Sequence, residues 1–189
     1  LGSGSGEMLC TWARDYGITG TGIDMSQLFS DQAKRRAHEL RVSDQVAFIH
    51  GDAAGYVAAE KVGVAACLGA TWIGGGVVGT IELLAKSLSP NGIILIGEPY
   101  WLQLPPTQEV AKGCLAESIS DFLLLPDLLA SFDELDYDVV EMVLADQEGW
   151  DRYEAAKWLT MRRWLAAKPD DAFAKDVRAK LTLEPKRYA

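Results

Sequence analysis

Two hydrophobic periods take turns along this chain. Met8, Leu9, Trp12, Ala13 and Tyr16 recur at three- and four-residue spacing. That is the stripe of an amphipathic helix over residues 7–16, which Gly17 is suited to stop in the left-handed conformation. Residues 18–23 are a short β-favouring run broken by Gly20 and Gly22, and they deliver Asp24 at their end. Ser26 is a capping residue type, and Leu28, Phe29, Ala33, Ala37 and Leu40 then keep one helical face to about Arg41. Ser43 and Asp44 turn the chain into a strand over 46–50, which hands over to Gly51 and Asp52. The alanines after Asp52 suggest a short helix over 53–61. Residues 62–68 are almost wholly apolar, the composition of a strand buried on both faces. A loop holding Gly69, Ala70, Thr71, Trp72 and the glycines 74, 75 and 76 leads to a helix through Ile81, Leu84, Ala85 and Leu88. Ser89-Pro90-Asn91-Gly92 signals a turn, and residues 93–96 form another apolar strand, ending in Gly97-Glu98-Pro99-Tyr100-Trp101.

This alternation over residues 1–98 predicts an α/β fold of the Rossmann-like, doubly wound kind, with a mostly parallel sheet and helices on both faces. Ligands in such folds sit outside the carboxyl ends of the strands. Here that edge carries Gly2 to Gly6, Asp24, Asp52, Gly69 to Trp72, and Glu98. Beyond Pro105-Pro106 the pattern becomes helical over 108–125 and 127–135, separated by Pro126. A strand over 137–145 follows, then a long helix over 151–167 with Tyr153, Trp158, Met161, Trp164 and Leu165 on one face, and a polar helix after Pro169. The expected organisation is a single domain: a ligand-binding core over 1–100, a helical insertion over 101–136, and a C-terminal strand and helices over 137–189.

Composition narrows the function. With 49% hydrophobic and 24% charged residues the chain has ordinary globular composition. Its 18 basic and 27 acidic residues leave a net charge of -9. An acidic surface repels phosphate backbones, which argues against nucleic acid or an anionic membrane as partner. The basic groups Lys34-Arg35-Arg36 and Arg162-Arg163 fall within amphipathic helical patterns and read as solvated faces. Cys10, Cys67 and Cys114 are widely spaced and form neither a disulfide framework nor a zinc set, so no metal is expected. With no long apolar run or signal pattern, the expected location is cytoplasmic.

The opening Leu-Gly-Ser-Gly-Ser-Gly-Glu, just before a helix, is the strongest chemical signal. Glycines there leave backbone N–H groups open to a ligand. A dinucleotide fingerprint needs Gly-x-Gly-x-x-Gly. Counting from Gly2 puts Glu7 at the third glycine, and counting from Gly4 puts Leu9 there. What remains is Gly-x-Gly-x-Gly, an acid at Asp24 and another at Asp52. In this order and spacing the first hundred residues resemble the class I S-adenosylmethionine-dependent methyltransferases. That resemblance implies S-adenosylmethionine as cofactor. Gly2, Ser3, Gly4 and Gly6 would lie against its methionine and ribose, Asp24 would accept from the ribose hydroxyls, and Met25 would pack on the adenine. Asp52 and the Ala53 N–H would read the adenine edge, while Leu68, Gly69 and Ala70 would present backbone groups. Thr71 and Trp72 would stand near the sulfonium and the acceptor.

Glu98, Tyr100 and Trp101 follow the last strand of the alternating region, where an acceptor would sit. Glu98 is the candidate base or orienting group, with Tyr100 and Trp72 beside it. The Gly-Glu-Pro-Tyr-Trp segment resembles a bacterial branch of the same family. The expected function is methyl transfer to a small molecule, by in-line displacement of a methyl held about 3 to 3.5 Å from the acceptor. Two other readings stay open: an NAD-dependent oxidoreductase, and a non-catalytic methyltransferase-like partner subunit. The plainer roles are helix capping for Asp24 and Asp52, a close loop for glycines 74–76, and a structural hydrogen bond for His50. Family members carry a strand ahead of the glycine turn and an antiparallel strand near the C-terminus, and neither is found in these 189 residues. The chain is therefore expected to be cut at both ends and poorly stable alone.

Overall fold

The computed structural model describes residues 1–114 and 116–188. Leu115, within the helix expected over 108–125, and the terminal Ala189 lie outside the described residues. Helix α1 (Glu7–Tyr16) lies where the apolar stripe puts it, and Gly17 ends it at φ 67° with its N–H bonded to the Ala13 carbonyl. Strands β1 (Gly20–Asp24) and β2 (Val46–His50) pair in parallel from Gly20↔Val46 to Asp24↔His50. Asp24 and His50 therefore share one edge. Between the strands runs α2 (Gln27–Glu39), started by the Ser26 hydroxyl accepting from the Phe29 N–H. Cys10 and Ala13 of α1, Ala33 and Ala37 of α2, and Val46 and Phe48 of β2 form one core cluster. Small residues on the helices let them come close to Phe48, whose ring fills the cluster.

Strand β3 (Val62–Leu68), helix α3 (Val77–Ala85) and strand β4 (Leu88–Gly97) repeat the arrangement. β3 and β4 pair in parallel through Leu68↔Gly97. Gly63 alone separates Val62, paired with Leu88, from Val64, paired with Ile93. The excursion at residues 89–92 is the turn that Ser-Pro-Asn-Gly signals, but pairing continues on both sides of it. β3 departs from the expectation of burial on both faces: Ala65 and Cys67 are buried while Val64 and Leu68 are exposed. Only the face toward α3 and β4 is packed, around Ala65, Cys67, Ala70 and Leu84.

β1 and β3 belong to separate two-stranded sheets. Between them lies an apolar slot of about 610 Å³, lined by consecutive positions 20–23 of β1 and 62–66 of β3. The first residues of the chain bridge it at one end. The Leu1 nitrogen donates to the Ala66 carbonyl (2.5 Å) and the Ser3 N–H to the Ile23 carbonyl (3.0 Å).

Residues Leu1–Leu104 and Phe122–Tyr137 make one compact unit, and Pro105–Asp121 and Asp138–Ala189 a second. Of the next helices, α4 (Gln108–Gly113) belongs to the second unit and α5 (Leu125–Asp133) to the first. Pro126 sits in the first turn of α5, where its missing N–H is not needed, so it begins a helix instead of separating two. Leu128 of α5 packs with Val77 and Ile81 of α3. α4 is much shorter than the stretch expected over 108–125. The Asp121 carboxylate accepts from the Glu117 and Ser118 N–H groups (2.7 and 3.0 Å), and Gln108 Oε1 accepts from Ile119 (3.2 Å), so side chains hold this segment in turns.

In the second unit, α6 (Gln147–Ala167) starts earlier than expected because the Asp146 side chain caps it through the Gly149 N–H (2.7 Å). Trp158 of α6 meets Tyr188 of α7 (Ala174–Tyr188) edge-on at 5.8 Å. The Tyr188 hydroxyl donates to Asp151 Oδ1 (2.7 Å), which pushes its pKa up to about 12. Part of the aromatic face of α6 is thus taken up by α7. Two expected elements are absent. The strand over 137–145 does not form, and Val140 and Val143 there are 81% and 85% exposed. A strand requires a partner edge, and among the described residues none pairs with it. The helix over 53–61 is replaced by turns, because Asp52 Oδ1 accepts from the Ala54 N–H (2.8 Å) and Gly55 takes φ 79°.

Candidate active site

The glycine turn meets both sheets at the carboxyl ends of their strands. Its main chain is held at most points. The Gly6 N–H donates to the Ser3 carbonyl (3.1 Å), and the Gly4 N–H donates to Asp24 Oδ2 (2.8 Å). The Arg36 Nε donates to the Ser5 carbonyl (3.1 Å), while the same guanidinium pairs with the Glu7 carboxylate. Among the described residues, the Gly4 carbonyl and Ser5 N–H carry no hydrogen bond.

The three glycines divide the work. A Cβ at Gly2 would meet the Ala70 Cβ at 2.8 Å, and one at Gly6 would meet Phe48 at 2.7 Å and Ala33 at 2.8 Å. Those two positions are needed by the fold itself. A Cβ at Gly4 would meet nothing within 4 Å. Gly4 is therefore where the turn can admit a ligand against its backbone.

Asp24 serves two amides: its Oδ1 accepts from the Ser26 N–H at 2.8 Å, and Oδ2 from Gly4. A carboxylate has about four acceptor positions, so capacity remains on both oxygens. Met25, next to it, is 61% exposed. His50 Nε2 lies 3.1 Å from the Met25 carbonyl, and a carbonyl can only accept, so this nitrogen carries the proton. The histidine thus braces the backbone of Met25, the structural role its sequence position suggests. Asp52 is exposed with Oδ1 engaged by Ala54, and Ala53 is buried. On the other sheet, Leu68 is exposed, Gly69 bonds the Gly97 carbonyl (2.9 Å), and Ala70 is buried beside Gly2.

Glu98 follows β4. Burial pushes its carboxyl above the usual range, opposed by a hydrogen bond from the Thr71 side chain, and its Oε2 is enclosed with no hydrogen-bond partner. Trp72, beside Thr71, is 64% exposed. Tyr100 packs against the Val77, Ile81 and Leu128 cluster, and the ring of the buried Trp101 lies 5.1 Å from Phe122. Trp101 is accordingly part of the packing under this loop.

Two residues that the sequence did not single out organise the site. Thr80, fully buried in α3, donates to the Thr71 carbonyl (2.6 Å) and accepts from the Gly74 N–H (3.2 Å). It holds the 3₁₀ turn Thr71–Gly74 that carries Thr71 and Trp72. A Cβ at Gly74 would come within 2.3 Å of the Thr80 nitrogen, which makes this glycine one of close packing. Arg36 belongs to the basic group expected on a solvated face, yet it reaches the glycine turn. Neither has a local sequence signal, because both act across the fold. Among the described residues no cluster of His, Cys, Asp and Glu is placed to hold a metal, and no helix is long and apolar enough to cross a membrane.

A sequence profile of the methyltransferase domain matches residues 1–96. The Escherichia coli (strain K12) uncharacterized protein YjhP is 74% identical over 188 residues, covering 100% of this chain and 76% of YjhP. Among solved structures, a Geobacter sulfurreducens S-adenosylmethionine-dependent methyltransferase, in complex with S-adenosyl-L-homocysteine, matches with a TM-score of 0.94 at 78% identity. A Thiobacillus denitrificans S-adenosylmethionine-dependent methyltransferase with the same ligand matches at 0.93 and 73%. Each comparison covers 100% of this chain and 76% of the other. The chain belongs to the methyltransferase domain family, of the class I, S-adenosylmethionine-dependent type.

Proposed function

We propose that this protein transfers a methyl group from S-adenosylmethionine to a small-molecule acceptor. The observation that carries the reading is the ligand-facing side of the turn: open space at Gly4, an unbonded Gly4 carbonyl and Ser5 N–H, and spare acceptor capacity on Asp24. These features fit a neutral ribose and a zwitterionic amino-acid tail. The dinucleotide reading lacks its third glycine, since Glu7 or Leu9 stands where that glycine belongs.

Asp24 binds the ribose hydroxyls, and the exposed Met25 covers one adenine face. Asp52 and the Ala53 N–H read the other end of the base, with Leu68, Gly69 and Ala70 forming the opposite backbone wall. When bound, the cofactor supplies an electrophilic methyl group on a sulfonium. Trp72 and Tyr100 border the acceptor's side and exclude water there. Glu98, steadied by Thr71, orients the acceptor or takes up its proton. The net charge of -9 favours a small molecule over a nucleic acid. The free thiols of Cys10, Cys67 and Cys114 fit a reducing, cytoplasmic setting.

Calorimetric titration of the full-length protein with S-adenosylhomocysteine tests the reading, and absence of binding at millimolar ligand refutes it. Asp24→Ala is expected to weaken that binding by about 1 to 3 kcal/mol, the loss of charge-assisted hydrogen bonds. Unchanged affinity would remove the ribose assignment.

A further inference from the structure

Beside Gly4 there is open space, the peptide joining it to Ser5 carries no hydrogen bond of its own among the described residues, and its neighbours on either side are anchored. The preceding peptide is held through the Gly4 N–H on Asp24 and the Ser3 carbonyl, which accepts from Gly6. The following peptide is held through the Gly6 N–H and through the Ser5 carbonyl, whose side-chain partner is Arg36 Nε at 3.1 Å. Anchoring both neighbouring peptides narrows the rotation open to the one between them.

Arg36 comes from the last turn of α2, and Ser26, at the start of the same helix, donates its N–H to Asp24. The helix therefore bonds the turn directly through Arg36, while its cap residue braces Asp24, which bonds the turn through Gly4. The guanidinium makes two contacts at once, Nε to a carbonyl and Nη1 to the Glu7 carboxylate. The ion pair also offsets the one negative charge that the turn carries into α1. A lysine ammonium keeps the charge but lacks the fixed, planar fork that lets the guanidinium meet both partners from one position.

We propose that Arg36 is a positioning residue for the cofactor: it clamps Ser5 and Glu7 so that the Gly4–Ser5 peptide is held toward the ligand. It touches no reacting atom and acts through the turn. This inference rests on the turn being the cofactor's seat, and the test separates the two. S-adenosylhomocysteine is titrated calorimetrically into the full-length protein and into Gly4→Val, Arg36→Met, Arg36→Lys and Glu7→Gln variants, each below its melting temperature.

Gly4→Val fills the ligand's side of the turn and is expected to lower affinity at least tenfold. If its affinity is unchanged, the seat itself is misassigned and the inference falls with it. Arg36→Met is expected to lose about tenfold, and Arg36→Lys about threefold, since it keeps the charge but not the guanidinium's fixed fork. Combining Glu7→Gln with Arg36→Met is expected to cost less than the product of the two single losses, because both remove the same pair. A Gly4→Val loss with Arg36→Met binding as wild type, or moving only the ligand-free melting temperature, overturns the clamp. So does full rescue by Arg36→Lys, which would leave Ser5 no part in it. Should Arg36→Met not fold, the comparison of Arg36→Lys with wild type decides: a severalfold loss supports the clamp and equal affinity refutes it.

Discussion

Glycines that look alike in the sequence have different duties at the scale of single residues. Gly6 has Phe48 and Ala33 within 2.8 Å of where a Cβ would stand, whereas Gly4 has open space. Gly6→Ala is expected to lower stability by about 1 to 3 kcal/mol through overpacking, seen as a lower melting temperature. Gly4→Ala strains a backbone at φ +53° and costs about 1 kcal/mol, but its main effect is on ligand affinity. Equal melting losses with no affinity loss at Gly4 would contradict this division. Glu98 supplies a pH-dependent prediction. Its folded-state pKa is raised, so its protonated form favours folding. That contribution is complete below the ordinary glutamate value and is lost as pH rises through Glu98's own. Glu98→Gln is therefore expected to melt higher than wild type at pH 8, with the gap closing in acid. A gap that widens in acid would reverse the assignment. If Glu98 orients or deprotonates the acceptor, the same variant loses turnover while keeping S-adenosylhomocysteine affinity.

At the scale of elements, agreement with the sequence follows how local each element's causes are. α1, α2, β1, β2 and β3 lie close to where periodicity and capping residues put them, since Gly17 and Ser26 act within a turn of chain. The strand over 137–145 has a strand-like pattern and no ladder, because hydrogen-bonding partners on another segment are not written into its own residues. The Ser89 to Gly92 turn falls inside β4 because pairing with β3 resumes beyond it. The 3₁₀ turn carrying Thr71 and Trp72 depends on Thr80 from α3. Thr80→Val removes the partner of the Gly74 N–H and one of the two donors to the Thr71 carbonyl, which keeps the Gly76 N–H, and is expected to cost about 1 to 3 kcal/mol in denaturant unfolding. A loss below about 0.5 kcal/mol would show that the turn holds itself. In the candidate site, Asp24 and Asp52 were legible as acids at strand ends, while Arg36 and Thr80 were not, being recruited across the fold by residues 31 and 9 positions away.

On the scale of the whole molecule the slot between β1 and β3 dominates. Two strand edges face it, and among the described residues only Leu1 and Ser3 reach their hydrogen-bonding groups. The isolated 189-residue chain is expected to aggregate or to melt without a sharp transition, since unpaired edges recruit other strands. A cooperative, reversible melt of a soluble monomer would contradict this. The sequence by itself determined the alternation of strands and helices, the class of ligand turn and the acids beside it, because spacing, capping and glycine placement act over a few residues. Tertiary structure decided which glycine of the turn has open space beside it, which arginine leaves the solvated face to hold the turn, and which apolar runs become strands. Those outcomes depend on partners distant in the chain, and only packing and hydrogen-bond pairing bring them together.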